Sequence, residues 1–188
     1  RCAGQARLLL QGEAVILEKK GDLLNDQVEA VVNTVNTEGV SGKGVALQFK
    51  MRYPKNYEAY RAAAKQGAVQ LGRMFIVHTG IIEGQGPQVI INFPTKGHWR
   101  SKSQLSDIEA GLDDLVRVIQ ELKISSIALP PLGCGNGGLD WRVVAPMIGR
   151  KLGGLDSVLV HVYPPEGAPP ALTMTVGTRQ PPMTPGRA

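Results

Sequence analysis

The stretch "VNTVNTEGVSGKGVALQFK", Val32 to Lys50, decides the fold. A β-branched run ends at Val35, glycines follow at 39, 42 and 44, and an apolar helical pattern opens near Val45. Glycine lets the backbone take positive φ and approach a ligand closely, and the free N–H groups of a helix start favour an anion. The stretch reads as strand, glycine loop and helix, with a phosphate or diphosphate as its natural guest. Two named phosphate motifs do not fit. The triphosphate loop G-x-x-x-x-G-K-[ST] fails because Gly39 stands three residues before Gly42 and Lys43 is followed by Gly44. The dinucleotide fingerprint G-x-G-x-x-G fails because Leu47 stands at its last position. For one such loop, a glycine-rich turn without a ligand is an even competitor.

A second loop shifts that balance. "IALPPLGCGNGGLDW", Ile127 to Trp141, repeats the grammar: a buried strand, glycines at 133, 135, 137 and 138, then a helix. Two such junctions at one sheet edge would clasp a diphosphate from both sides, where open α/β sheets bind ligands. Further out, "AVILEKK", "VEAVVNTV", "RMFIVHT", "QVIINFP", "ISSIALPP" and "SVLVHVYPP" are short Val/Ile-rich runs that alternate with helical patterns. That alternation predicts an α/β domain with a mostly parallel or mixed sheet. In "YPKNYEAYRAAAKQG", Pro54 suits a first helical turn and Gly67 a stop. In "SKSQLSDIEAGLDDLVRVIQELK", Leu105, Ile108, Leu112, Leu115, Val116, Ile119 and Leu122 share one helical face, which should pack on the sheet. A further helix begins near Trp141, its first half interrupted by Pro146.

The chain has 188 residues, which suits one domain with a full core. Lysine and arginine outnumber aspartate and glutamate by 21 to 16, a net charge of +5, which favours polyanionic partners. No apolar run reaches the roughly 18 residues of a membrane span. Two cysteines, Cys2 and Cys134, are too few for a structural zinc site and point to a reducing compartment. Cys134 has no histidine near it in sequence and reads as a small loop residue rather than a nucleophile. His78 and His161 sit in strand patterns, and no metal cluster is evident. Residues 1–12 read as a leader or remnant, because their apolar core is only three leucines. Residues 164–188 hold seven of the 13 prolines and read as a linker toward a missing C-terminal domain.

Asp22 in "GDLL", the first glycine loop and the second, in that order, resemble a macrodomain, the ADP-ribose-binding module, over residues 13–163. The resemblance implies a three-layer α/β/α fold with a mixed central sheet of about six strands. It also implies that Asp22 and Leu23 meet the adenine. Asn36, Gly39, Val40, Gly42, Lys43, Gly44, Val45 and Ala46, with Thr95, would then line the distal ribose. Leu132, Gly133, Cys134, Gly135, Asn136, Gly137, Gly138 and Leu139 would wrap the diphosphate. Within the family, "VNTVNT", "GKGVALQFK", "FPTKGHWR" and "LPPLGCGNGGLDW" look most like the DarG branch, antitoxins that remove ADP-ribose from thymidine bases of DNA. On that resemblance the expectations are a cytoplasmic monomer without metal or cofactor, acting on ADP-ribosylated single-stranded DNA and paired with a DarT-type toxin.

"NFPTKGHWRSKSQ", residues 92–104, supplies the chemistry. Lys96 ends a strand and is the main catalytic candidate, with Asn33 as its companion. Whether Lys96 attacks, protonates or positions is open: a lysine near its ordinary pKa of about 10.4 is almost all protonated at neutral pH. In a related lysine-dependent branch the lysine works with an aspartate; aligning "GCG" puts Gly137 at that place, with Asp140 three residues on. His98, Arg100 and Lys102 could neutralise DNA phosphates and Trp99 could stack on a base, worth roughly 1–3 kcal/mol. A solvated loop with a partly buried tryptophan is the plainer alternative. The competing functions are an ADP-ribose reader without turnover and a protein de-ADP-ribosylase.

Overall fold

All six apolar runs become strands of one sheet: β1 (Val15–Glu18), β2 (Ala30–Asn36), β3 (Phe75–His78), β4 (Val89–Lys96), β5 (Ser126–Leu129) and β6 (Leu159–Val162). The computed structural model describes residues 13–168. The leader expected over residues 1–12 and the expected linker beyond residue 168 lie outside the described residues. Strand order is β1-β6-β5-β2-β4-β3. Every pairing is parallel except β3 with β4, so the sheet is mixed with one antiparallel edge.

Four helices cover the sheet: α1 (Gly44–Arg52), α2 (Pro54–Lys65), α3 (Leu105–Glu121) and α4 (Trp141–Leu152). Strand side chains alternate between faces, and the core divides accordingly. Ala30, Val32, Ile91 and Phe93 pack with buried residues of α3 and α4, whereas Val31 and Ile90 pack with Phe49 of α1, and Val35 with Tyr60 of α2. These are the three layers that the macrodomain resemblance implies. On α3, Ile108, Leu112, Leu115 and Ile119 are buried, Leu105 and Val116 are partly so, and Leu122 is an exposed C-cap. Pro146 does not interrupt α4, which runs unbroken. Its missing N–H forfeits one bond, to Arg142, and Val144, Met147 and Ile148 around it are buried, so packing outweighs that loss.

Among the described residues no helix is long and apolar enough to cross a membrane. Helix α3 lies so close to the sheet that a Cβ at Gly111 would stand 2.3 Å from Cζ of fully buried Phe93. Gly111→Ala should therefore overpack this contact and destabilise the fold by about 1–3 kcal/mol, read as a lower urea midpoint with an unchanged slope.

Candidate active site

The carboxyl ends of β2 and β4 lie side by side, and their register slips where the site begins. Val35 pairs with Pro94 but Asn36 with Lys96, so Thr95 is an extra residue on β4. Such a bulge turns the strand end and re-aims its side chains. β3 stops pairing at Asn92, so Pro94, which has no N–H to give, sits where β4 has one neighbour. Thr37 N–H donates to the carbonyls of Lys96 (3.2 Å) and Gly97 (3.1 Å), closing the two strand ends together.

Half-buried Lys96 faces a cavity of about 590 Å³ bounded by both glycine loops. Its lining includes Lys43, Lys96 and Arg100, and no carboxylate. Burial pushes the Lys96 ammonium below its ordinary pKa, and the positive charge of Lys102 adds to that. The uncharged amine is therefore more accessible here than on a solvated lysine.

Asn36 organises the first loop. Its Oδ1 accepts from the N–H groups of Glu38 (3.0 Å) and Val40 (3.2 Å), and its Nδ2 donates to the Val40 carbonyl (2.7 Å). Tyr60 O–H donates to the Asn36 carbonyl at 2.6 Å; burial raises that phenol to about 12, so it stays a donor. The second loop meets the first where a Cβ at Gly44 would stand 3.3 Å from Asn136 Nδ2. At Gly137 a Cβ would lie 2.4 Å from the Gly133 carbonyl oxygen and 2.3 Å from Ser103 Oγ, so no side chain fits. Ser103 N–H donates to the Gly137 carbonyl at 3.0 Å, tying this loop to the segment after β4.

A second cavity of about 470 Å³ shares Val45, Pro130 and Pro131 with the first, making one cleft across the sheet edge. Asp22 and Leu23 line it. Asp22 is also the cap of a short 3-10 turn, Leu23–Asn25, accepting from Leu24 N–H at 2.9 Å. Beside it, Asp26 Oδ2 accepts from Tyr163 O–H (2.7 Å) and lies 2.8 Å from His161 Nδ1. Burial alone would raise the Asp26 pKa, but the hydrogen bonds from Tyr163 and His161 outweigh it and hold the carboxyl below its usual range.

The sequence profile of the Macro domain family matches residues 32–148. The chain belongs to the Macro domain family. It is 54% identical over 168 residues to a protein of Mycobacterium tuberculosis named DNA ADP-ribosyl glycohydrolase, covering 89% of this chain and 46% of the relative. It thus spans about half the length of the curated relatives it matches. The structure of the macrodomain of Mycobacterium tuberculosis DarG superposes with a TM-score of 0.79 at 54% identity, over 81% of this chain and 99% of that one. Thermosipho africanus DarTG in complex with ADP-ribose superposes with a TM-score of 0.78 at 30% identity, over 85% of this chain and 44% of that one.

In this macrodomain most of the expected residues come together. Asn36, Val40, Gly42, Lys43, Gly44, Val45, Ala46, Thr95, Lys96, Gly133, Gly135, Asn136 and Gly137 line the first cavity, with Trp99 and Arg100 at its wall. Trp99 is 39% exposed, stacked on His98 and overlaid by the Arg100 guanidinium at 4.4 Å.

Asn33 is a correction. It does not line the cavity and is only 2% exposed, its Nδ2 donating to Asn92 Oδ1 at 2.9 Å. It belongs to a buried amide cluster with Asn92 and Asn56 and cannot serve as a catalytic partner of Lys96. Gly39 packs on α2, Leu132 is in the core, and Cys134 and Leu139 pack against it. Gly138 lies under the Lys102 ammonium, and neither it nor Lys102 nor His98 lines the cavity. Asp140 caps α4 and pairs with Arg142.

Sequence reasoning missed Thr34, Pro130, Pro131 and Tyr163 as lining, and Glu38, whose Oε2 accepts from Trp99 N–H at 3.3 Å. The prolines directly follow β5 and Tyr163 directly follows β6, so strand-end position was the available signal.

Burial pushes the Cys134 thiol up to about 11. In a Cys2→Ser background, Cys134 should alkylate at neutral pH at least about tenfold more slowly than a free cysteine peptide, read by mass spectrometry with iodoacetamide. Asp26 gives a pH test. Its depressed folded pKa contributes stability that is present above the unfolded aspartate pKa and is lost as pH falls through the folded value. The acid limb of a Tm-against-pH profile should flatten in Asp26→Asn, at a cost in Tm near neutral pH.

Proposed function

We propose that this macrodomain hydrolyses the N-glycosidic bond between ADP-ribose and thymidine bases of single-stranded DNA, reversing a DNA ADP-ribosyltransferase toxin. One observation carries the reading: a half-buried lysine of lowered basicity lines, with no carboxylate beside it, the cavity between two glycine loops. The similarity to proteins named DNA ADP-ribosyl glycohydrolase supports it. A DarT-type toxin is the partner and the cytoplasm the compartment that this reading implies. The Thermosipho africanus relative named as a fusion of DNA ADP-ribosyl transferase and glycohydrolase accords with that pairing.

In the reaction the bond from the ribose anomeric carbon to the base nitrogen breaks, water supplies hydroxyl to the carbon, and the base takes up a proton. Positive, oxocarbenium-like character develops on the carbon. The first loop, organised by Asn36, holds the distal ribose, the Gly133–Gly138 loop wraps the diphosphate, and Asp22 accepts from the adenine amino group. Lys43 and Arg100 balance the diphosphate charge, which leaves Lys96 for the reacting centre. The closed space at Gly137 leaves no room for the aspartate that a paired Lys–Asp mechanism requires, which favours a nucleobase linkage over a protein one.

The test is ADP-ribose release from ADP-ribosylated oligonucleotide and from ADP-ribosylated protein, for the wild type and Lys96→Ala. Release from the oligonucleotide should fall at least about 100-fold in the variant. Release from neither substrate leaves a reader module; release from protein alone makes the chain a protein de-ADP-ribosylase. Because the uncharged amine is more accessible than on a solvated lysine, kcat/KM should rise with pH through a midpoint below the ordinary lysine value if that form acts. A falling limb over that range would instead assign the ammonium, acting on the leaving base.

A further inference from the structure

Positive charge in this protein is concentrated on one layer. From Lys43 to Lys65, through α1 and α2, there are six basic side chains and one acid, Glu58. That surplus of five equals the net charge of the whole chain. On the opposite layer α3 carries five acids and one arginine.

The two layers also differ in how their charges are used. Arg117 pairs with Asp114 and Glu121, and Lys151 of α4 pairs with Asp113 and Glu109, so each of these cations is taken up by acids and the α3 face stays net negative. None of the six cations of α1 and α2 forms an ion pair among the described residues. Those with partners have uncharged ones: Arg52 donates to Asn25 Oδ1 at 3.1 Å, and the Lys50 ammonium lies 4.4 Å from the centre of the Tyr57 ring. The cations at the α3 face are held by acids, whereas the α1 and α2 face keeps its cations unpaired.

The face is continuous with the cavity mouth. Glu38 accepts from Trp99 N–H, and the next residue, Gly39, packs on α2, where its Cβ would stand 3.4 Å from Arg61 Cα. From the Trp99 wall one crosses this single loop to reach Arg61, and then exposed Lys65 and Lys55 on the same helix. Lys55 and Lys65 are ten residues apart, about 15 Å along α2, a span of several nucleotides.

We propose that the outer face of α1 and α2 is the track for the single-stranded DNA that flanks the modified nucleotide. The phosphates run along α2 in the order Lys55, Arg61, Lys65, passing the mouth at Arg61, and the strand does not cross α3. The proposal rests on the reading that the substrate is ADP-ribosylated DNA. The physical driving force is release of condensed counterions by unpaired cations, with half-buried Tyr57 offering an aromatic surface beside them.

The test uses the whole chain and an unmodified, fluorescein-labelled single-stranded DNA oligonucleotide, titrated by anisotropy at several salt concentrations. Lys55→Glu/Lys65→Glu is compared with a charge-matched control on the other layer, Lys123→Glu/Arg150→Glu. The α2 variant should lose about tenfold or more in affinity, and its salt slope should fall by roughly 1.4, two phosphate contacts at about 0.7 each. Its affinity for free ADP-ribose, measured by calorimetry, should match the wild type and certify the fold. Unchanged oligonucleotide affinity in the α2 variant, or an equal loss in the control, overturns the track. An RNA oligonucleotide bound more tightly than DNA by the same residues overturns the assignment to DNA. Should ADP-ribosylated oligonucleotide not be hydrolysed, the proposed reaction fails, but the anisotropy comparison still decides the track.

Discussion

The parallel pairing of β2 with β4 is the constraint from which the site follows. Seven residues of β2 run beside β4 from Ala30–Val89 to Asn36–Lys96, and the slip at Thr95 falls at the carboxyl edge. Hydrogen bonds of a buried ladder are costly to leave unmade, so the register is held firmly up to the bulge and released there. Lys96 and Asn36 consequently leave the sheet opposite one another. The Thr37 bonds to Lys96 and Gly97 carry that alignment into the loops, which is how a lysine distant in sequence faces the first glycine loop. The buried amides of Asn33, Asn92 and Asn56 support the same pairing from the other side of the sheet, since Asn33 and Asn92 are register partners.

The second constraint is space. The Gly133–Gly138 loop folds back so tightly that its own carbonyl excludes a side chain at Gly137, and Ser103 closes the remaining gap. A loop packed in this way presents backbone to the cleft, and backbone N–H groups suit an anion without adding a competing acid. The first cavity is therefore lined by lysines and an arginine alone among charged groups. Among these groups the basicity of Lys96 is lowered by burial and by Lys102.

The mouth of the cleft is held by a small set of contacts. Glu38 links the Trp99 segment to the Asn36–Val40 loop, and that loop rests on α2 through Gly39. The basic side chains of α2 therefore stand on the same support as the loop that lines the cavity. The α3 face stays net negative, its five acids forming ion pairs only with Arg117 and Lys151 among the described residues, whereas α1 and α2 carry unpaired cations.

Much of this was legible from residues 32–50 and 127–141, because glycine spacing and period-2 apolar runs encode local backbone needs directly. All six strands, the buried face of α3, the Macro domain family and the position of Lys96 at a strand end followed from the sequence. Three matters did not. Asn33 and Asn36 look equivalent in "VNTVNT", and only the pleat and the bulge send one to the core and the other to the cleft. Glu38 and Tyr163 carry no motif, because their importance arises from neighbours 61 and 137 residues away. The sequence by itself determined which residues could form loops, strands and an anion-binding edge, since these depend on local backbone chemistry. Tertiary structure alone decided which of them meet, because strand register, the closed space at Gly137 and the pairing of charges are set between segments far apart in the chain.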